Sequence, residues 1–259
     1  MSDSSSPQVE RPISSKIKPQ WIRLLHALNY DPEVITGDTN FMLLSSEHTN
    51  SKAAAMLSNN MFQVFMAETQ ASTRLLVNGH GDLSTVGGVS PFSHVVAEAS
   101  RVSNTTNIAG APTFIIKYFC REHKTKPSWN KLSSPTGMLT NVIGQLVLQM
   151  HEKDIALDLS FISHSKWQKL EDRDVRTLCS VFKRIVEQVP RGGVVLCAID
   201  EISVYTRALL EHETGIVVSK LVQMVRRNGN GPVFKLLVTC YERASLIEGL
   251  FSGYTLDMD

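Results

Sequence analysis

Short apolar runs alternate with amphipathic stretches along most of this chain, and this alternation limits what it can fold into. The apolar runs are typical of buried strands and lie at residues 75–77, 113–119, 194–199 and 234–239. Parallel strands need long crossover connections, and helices are the usual ones. The sequence therefore predicts an α/β fold with a doubly wound, mainly parallel sheet, preceded by N-terminal helices.

Apolar residues at helical spacing predict where the helices lie. The stripes cover residues 21–28, 53–68, 91–102, 136–151, 172–189 and 216–227. Ser90 and Pro91 suit the cap and the first position of the third of these helices. Residues 29–52 are polar and carry turn signals at Asp31-Pro32 and Gly37-Asp38, so they predict an irregular segment.

Composition divides the chain into three parts. Residues 1–15 are rich in Ser and Pro and predict a disordered tail. Residues 16–70 predict a helical N-terminal segment and linker, and residues 71–259 predict a single α/β domain. The length allows a sizeable core in that domain.

Charge and cysteine content exclude several classes of protein. The 26 basic and 25 acidic residues give a net charge of +1, which predicts no nucleic-acid partner. No apolar run is long enough to span a bilayer, and the N-terminus has no signal-peptide pattern, which predicts no membrane partner and a cytoplasmic location. The four cysteines are isolated, so we interpret them as core residues in a reducing compartment and not as metal ligands.

A glycine-rich segment joins the first strand to the helix at Ser90. Backbone N–H groups in such a loop can bind phosphate at a helix N-terminus, and the phosphate-binding pattern GxxxxGK[ST] adds a lysine and a hydroxyl. The candidate nucleotide-binding residues are Gly79, His80, Gly81, Ser84 and Thr85. The lysine is missing, and a carboxylate at Asp82 would repel an anion. A plain turn and a phosphate-binding loop both remain open from these residues.

The run at 194–199 ends in Asp200-Glu201, which matches a second nucleotide-site pattern. In that pattern the aspartate holds Mg²⁺ through water, and the glutamate activates the attacking water. Asp200 is thus a candidate metal residue and Glu201 a candidate catalytic residue. The alternative is that acidic residues follow a buried strand because the chain reaches the surface there.

The last predicted strand also ends in polar residues. Thr239 closes the run and Arg243 follows shortly after it. Ligands of open parallel sheets lie beyond the carboxyl ends of the strands. Both residues are therefore candidates to contact a γ-phosphate, although a solvated strand end accounts for them equally simply.

Taken in order, these features resemble a known family over about residues 54–245. The likeness is carried by Arg74 to Gly79, the helix start at Ser90-Pro91, the strand from Phe114 with Cys120 and His123, the helix with Gly137, Gln145 and Leu146, and the segment 194–203. It is similar to fungal NACHT-like domains of the STAND class of P-loop ATPases, including the nephrocystin-type N-terminal modules.

The resemblance implies a nucleotide-controlled switch between an effector and a sensor. It implies that Gly79 to Thr85 form the phosphate loop, that Asp200 and Glu201 are the acidic pair, and that 239–243 is the sensor region. Two departures matter: the lysine is absent, and the C-terminal lobes that follow the domain in this family are missing from the sequence.

Three functional hypotheses follow. The first is a degenerate module that acts in regulation or assembly through protein partners, with ATP or ADP and Mg²⁺ as weak ligands or with no cofactor. The second is an atypical Mg²⁺-dependent ATPase in which His80 or Arg74 covers the phosphates. The third is a structural remnant that binds nothing.

Overall fold

The computed structural model describes residues 19–44, 51–79, 90–105, 112–123, 132–206, 208–226 and 231–258. The N-terminal part consists of the helices α1 (Gln20–Leu28), α2 (Pro32–Leu44), α3 (Ser51–Ser58) and α4 (Asn60–Ala67). After it come β1 (Thr73–Asn78), α5 (Pro91–Thr105), β2 (Thr113–Phe119), α6 (Pro135–Glu152), α7 (His164–Glu171), α8 (Val175–Val186), β3 (Val194–Asp200), α9 (Glu211–Val225), β4 (Val233–Cys240), α10 (Ser245–Glu248) and β5 (Thr255–Asp257).

The five strands form one parallel sheet in the order β2-β3-β4-β1-β5. Strand β4 therefore lies between β1 and β3, and the carboxyl ends of all three meet at one edge. The prediction of a doubly wound parallel α/β sheet is confirmed.

Helices cover both faces of the sheet. Helices α1, α6, α7, α8 and α9 enclose the larger apolar cluster on one face. Helices α2 to α5 enclose a second cluster on the other face, built around residues such as Met56, Phe65 and Phe92. Every residue of β3 and of β4 is buried, which is why these strands are continuous apolar runs.

The interpretation of residues 29–52 as irregular is wrong for 32–44, which form α2. The turn signals mislead for local reasons: a proline is compatible with the first turn of a helix, and Asp31 accepts a hydrogen bond from the Glu33 backbone N–H (3.0 Å) as a cap. Gly37 is tolerated within the helix, and Ile35 and Met42 bury its inner face.

Two other helix predictions need correction. The single helix predicted at 53–68 is α3 and α4, separated at Asn59, whose side chain accepts a hydrogen bond from the Met61 N–H (2.8 Å) and caps α4. The helix predicted at 172–189 is shorter, since α8 begins after Asp174, which caps it by accepting from Thr177 N–H (2.8 Å). Helix α7, α10 and the short strand β5 carry no periodic pattern that the sequence reveals.

The outer edge of β2 is covered by two glutamine side chains of α6. The Gln149 amide accepts from Ile115 N–H (3.0 Å) and donates to Ile115 C=O (2.7 Å). The Gln145 amide likewise accepts from Lys117 N–H (3.0 Å) and donates to Lys117 C=O (2.7 Å). Spaced four apart on α6, the two amides take the place of a neighbouring strand and satisfy an otherwise open edge.

None of the described helices is both long and apolar enough to cross a membrane. The predicted tail at 1–15 lies outside the described residues. The boundary predicted between 16–70 and 71–259 stays a prediction. Leu24 and Leu28 of α1 are fully buried in the larger apolar cluster, where α1 packs against α6 and α7.

Candidate functional site

Three strand ends and the start of one helix meet at the carboxyl edge of the sheet. Asp200 is the last residue of β3, and Thr239 is the penultimate residue of β4. Gly79 follows β1 and its N–H donates to the Cys240 carbonyl (2.8 Å). Helix α5 begins at Pro91 beside them. This is the edge at which ligands of open parallel sheets bind.

Both carboxylate oxygens of Asp200 accept short hydrogen bonds from hydroxyl groups. Ser93 donates to Oδ2 (2.5 Å) and Thr239 donates to Oδ1 (2.5 Å). The Thr239 hydroxyl in turn accepts from the Glu201 backbone N–H (3.0 Å). Asp200 is completely buried. The network ties the end of β3 to β4 and to the first turn of α5.

Glu201 occupies an unusual position beside this network. Its backbone lies in the left-handed region (φ 57°), which is uncommon for a residue with a side chain and is found at functional sites. The side chain is 1 % exposed. The carboxyl receives hydrogen bonds from the Ser90 side chain and the Tyr241 backbone. Its Oε1 atom has no hydrogen-bond partner and is buried.

Burial raises the pKa of both carboxyl groups. For Asp200 desolvation outweighs the hydrogen bonds from Ser93 and Thr239, which lower the pKa. For Glu201 desolvation acts first and the charge of Asp200 second. The Arg121 charge lowers the pKa of both groups. Two neighbouring carboxyl groups with little water around them favour the protonated form of Glu201, which cannot accept a proton as a base unless an approaching cation lowers its pKa.

The hydroxyl of Ser93 marks its place in the phosphate-binding pattern. In GxxxxGK[ST] the hydroxyl residue lies at the start of the helix and serves the magnesium site, and the lysine precedes it directly. If the bond to Asp200 places Ser93 at the hydroxyl position, the lysine position falls on Phe92, and the glycine that precedes the lysine in the pattern falls on Pro91. If Ser90 is taken instead, the lysine position falls on Val89. Neither register supplies a cation.

Phe92 closes the space beside β1. The ring is 1 % exposed and belongs to the apolar cluster of α2 to α5. A Cβ atom added to Gly79 would lie 2.8 Å from the Phe92 ring, so the two residues are in direct contact. A ring in this place offers no hydrogen bond and no charge to a phosphate. Phe92 therefore contributes no phosphate contact here, and the segment 80–89, which carries the predicted phosphate loop, lies outside the described residues.

The fit to a metal ion is limited as well. Among the described residues no group of three or more His, Cys, Asp or Glu side chains is arranged to hold a metal. Asp200 and Glu201 supply carboxylate oxygens of the type that Mg²⁺ prefers. Both oxygens of Asp200 are already hydrogen-bonded, so the buried acceptors without a partner among the described residues of this edge are Oε1 of Glu201 and Oδ1 of Asn78.

The structure brings four of the predicted site residues to one edge: Gly79, Asp200, Glu201 and Thr239. His80, Gly81, Ser84 and Thr85 lie outside the described residues. Arg243 lies at the surface, where its guanidinium donates to both oxygens of Glu248 (2.9 and 2.6 Å). Its side chain is 61 % exposed, and none of its described contacts joins it to the acidic pair.

Sequence reasoning missed four residues at this edge: Lys52, Ser90, Phe92 and Ser93. The signal for Ser90 and Ser93 was their place in the cap and first turn of α5. Lys52 had no such signal, because it lies on a helix far away in the chain. Its ammonium donates to the carbonyls of Gly79 (3.0 Å) and Met258 (3.4 Å).

Arg74, by contrast, lies near the opposite end of β1. It pairs with Leu236 in the sheet register, and its guanidinium lies 4.6 Å from the centre of the Tyr254 ring. Four residues of extended chain separate it from Asn78, or roughly 13 Å. The interpretation that Arg74 covers the phosphates is therefore not supported by its position.

A parallel sheet with β4 between β1 and β3, a helix that begins beside the β1 tip and an aspartate at the end of β3 define a P-loop NTPase-like fold. Neither the protein-family models nor the curated proteins contain a match to this chain.

Solved structures give remote similarities. The Aeropyrum pernix ORC1 protein in complex with DNA is 10% identical, with a TM-score of 0.37 over 82% of this chain and 45% of that one. Drosophila ORC bound to AT-rich DNA and Cdc6 is also 10% identical, with a TM-score of 0.36 over 100% of this chain and 36% of that one. Drosophila ORC bound to DNA is 10% identical as well, with a TM-score of 0.35 over 99% of this chain and 37% of that one. The chain spans less than half the length of each of these proteins.

The prediction of no nucleic-acid partner is wrong as an exclusion, because these similar structures all contain DNA. The physical reason is that a net charge of +1 averages over the molecule and does not report local groups of cations. Likenesses this remote do not assign DNA binding to this chain.

Proposed function

We propose that this protein is a degenerate P-loop module, of the NACHT type that its sequence resembles, which acts in regulation or assembly through protein contacts. It binds nucleotide weakly or not at all and hydrolyses little. The observations that carry the proposal are Phe92, buried against Gly79 beside the end of β1, and the absence of lysine from the sequence in either register of the pattern. A cytoplasmic location agrees with four free cysteines.

The hydrogen bonds around Asp200 explain how the fold can be stable without a catalytic role. Ser93, Asp200 and Thr239 join α5, β3 and β4 through hydrogen bonds that involve an ionisable group, and such bonds contribute about 1.5–3 kcal/mol each. These contacts stabilise the edge of the sheet whether or not a nucleotide is present. Losing the lysine removes affinity and transition-state stabilisation, and it leaves this structural network in place.

An assay of Mg²⁺-dependent phosphate release from ATP tests the proposal. We expect the wild type to release no phosphate above the blank and Glu201→Gln to behave identically. Turnover that Glu201→Gln abolishes would contradict it, because a working catalytic carboxylate would then be present.

The second candidate function is an atypical ATPase, and the observation that favours it is Lys52. This residue brings an ammonium group to the end of β1 from α3. To contact a phosphate it would have to exchange its carbonyl partners for the ligand. Turnover lost in Lys52→Met and retained in Lys169→Met, an exposed lysine of α7, would favour this function over the first.

The third hypothesis, a remnant that binds nothing, predicts aggregation through exposed apolar surface. Large exposed hydrophobic side chains are concentrated in α2 to α4: Phe41, Leu44, Leu57, Met61 and Val64. Light scattering on the purified protein checks this hypothesis, and a monodisperse sample would count against it.

A further inference from the structure

A groove runs between α8 and α9 on the face of the sheet opposite to α5. Its central cavity has a volume of about 580 Å³. Four residues line it from α8 and five from α9: Arg176, Cys179, Ser180, Lys183, Ile216, Ser219, Lys220, Gln223 and Met224. The spacing of three and four residues on both walls shows that each helix presents one continuous stripe to the groove.

The groove is longer than this central cavity. A cavity of about 540 Å³ beside α10 shares Ile216 and Ser219 with it, and a smaller cavity of about 80 Å³ shares Lys183 and Met224 at the other end. The three follow α9 from Glu211 to Met224, which is roughly 20 Å of helix. This shape suits a peptide segment better than a compact small molecule.

The charges on the walls have one sign in the centre. The central cavity is lined by three cations, Arg176, Lys183 and Lys220, and by no acidic residue. Glu187 lies next to it and pairs with Lys183 at 3.3 Å. Arg176 and Lys220 are exposed. A ligand that enters the groove therefore meets cations on both walls.

The floor between these cations is apolar. Ile216 and Met224 are partly exposed, and Cys179 is 6 % exposed while the other three cysteines are fully buried. Nucleic-acid phosphates would find the cations but would bury no apolar surface on such a floor. A helix with an apolar stripe and flanking carboxylates would satisfy the floor and the rim together, as helices do when they bind in grooves.

We propose that the α8–α9 groove binds an acidic amphipathic helix of a partner protein. The apolar stripe of that helix packs on Cys179, Ile216 and Met224, and its carboxylates pair with Arg176, Lys183 and Lys220. The inference names a partner class for the protein contacts of the proposed function, and it rests on that function for its biological meaning. The groove shares no lining residue with the nucleotide edge, so the two can fail separately.

The test is a fluorescence anisotropy titration of the full chain with a labelled peptide of about 14 residues, the length that spans the groove. The peptide carries leucine at helical spacing and glutamate beside it. A matched peptide has lysine in place of every glutamate, and a labelled single-stranded oligonucleotide is the third probe. We expect saturable binding of the glutamate peptide alone.

Charge-reversal variants locate the binding site. The double variant Arg176→Glu, Lys220→Glu should weaken glutamate-peptide binding by about tenfold or more, because two attractions become repulsions. The control Lys153→Glu reverses an exposed charge outside the groove and should change binding less than about twofold. Circular dichroism shows whether the variants fold. If the double variant does not fold, Ser180→Glu, which adds a negative charge at an exposed position of the groove wall, repeats the test.

Three outcomes would overturn the proposal: no binding of the glutamate peptide, binding that the groove variants leave unchanged, or tighter binding of the oligonucleotide that these variants abolish. The last would make the groove a nucleic-acid site. The phosphate-release assay and the peptide titration give separate results. Peptide binding can fail while the absence of hydrolysis stands, and hydrolysis can be found while the peptide still binds.

Discussion

The side chains of Asp200 and Glu201 are the most informative at the scale of single residues, because their burial conflicts with their charge. A raised pKa means that the folded state holds protons which the unfolded state releases. The stability that these groups contribute is therefore full below their ordinary pKa of about 4 and is lost as pH rises through the raised values.

We predict that the wild type loses stability between pH 5 and pH 8 and that Glu201→Gln flattens this loss. One pKa unit corresponds to about 1.4 kcal/mol. The fall in unfolding free energy from pH 5 to pH 8 should therefore be larger in the wild type than in Glu201→Gln by more than that amount. Urea unfolding at both pH values measures it. The control Glu187→Gln changes an exposed carboxylate, and an equal flattening in that variant would contradict the assignment to the buried pair.

A second prediction concerns Gly144, in the middle of α6. A Cβ atom there would overlap the Tyr30 ring, which packs against the helix at this point. Gly144→Ala should lower the free energy of unfolding by about 1–3 kcal/mol, since the ring must move out of a packed core. Urea unfolding checks it, and a stability equal to the wild type would show that the ring is not held there.

At the scale of elements, α2 is the clearest test of the structure against the sequence pattern. Gly37 lies within this helix, is exposed, and has open space around an added Cβ atom. Gly37→Ala should therefore raise the free energy of unfolding by about 0.5–1 kcal/mol, the gain of alanine over glycine in a helix. Thermal unfolding measures it. Destabilisation instead would support the loop that the turn signals predict.

The glutamines that cover β2 give a prediction of their own. Gln149→Ala leaves the N–H and C=O of Ile115 without partners, and a buried unsatisfied group costs about 1–3 kcal/mol. The unfolding free energy of Gln149→Ala should fall by that amount, while Gln168→Ala, an exposed change on α7, should have little effect. Equal effects of the two would mean that the edge does not depend on these amides.

The elements that could be predicted are those whose apolar residues follow directly from their burial in the fold. Strands β3 and β4 are buried on both faces, so their apolar runs were unmistakable. Helix α2 was missed because its proline and glycine act locally as turn signals, and the packing of Ile35 and Met42 that outweighs them is not local. Strand β5 has three residues and owes its existence to pairing with β1.

The same limit applies to the candidate site. Asp200 and Thr239 could be predicted because each ends a buried strand. The bond between Ser93 and Asp200 spans 107 positions in the chain, and Lys52 reaches Gly79 from a separate helix, so neither contact leaves a motif. The burial of Phe92 against Gly79 likewise joins residues from separate elements, and no sequence pattern predicts it.

At the scale of the whole molecule, the sheet separates two surfaces with different properties. Its carboxyl edge has the strand order of a P-loop fold and holds a buried acidic pair, and Phe92 is buried against Gly79 at the same edge. The opposite helical face has a groove with three cations and an apolar floor. We therefore propose little or no nucleotide chemistry at the first surface and a protein contact at the second.

The most direct test of this account is a calorimetric titration of the full chain with ATP and with ADP, with and without Mg²⁺, repeated on Asp200→Ala. With no cation in the lysine position and Phe92 against Gly79, we expect no saturable heat at millimolar nucleotide, in either protein. Saturable binding of MgATP that weakens in Asp200→Ala would contradict the central claim, because it would show a working nucleotide pocket at this edge.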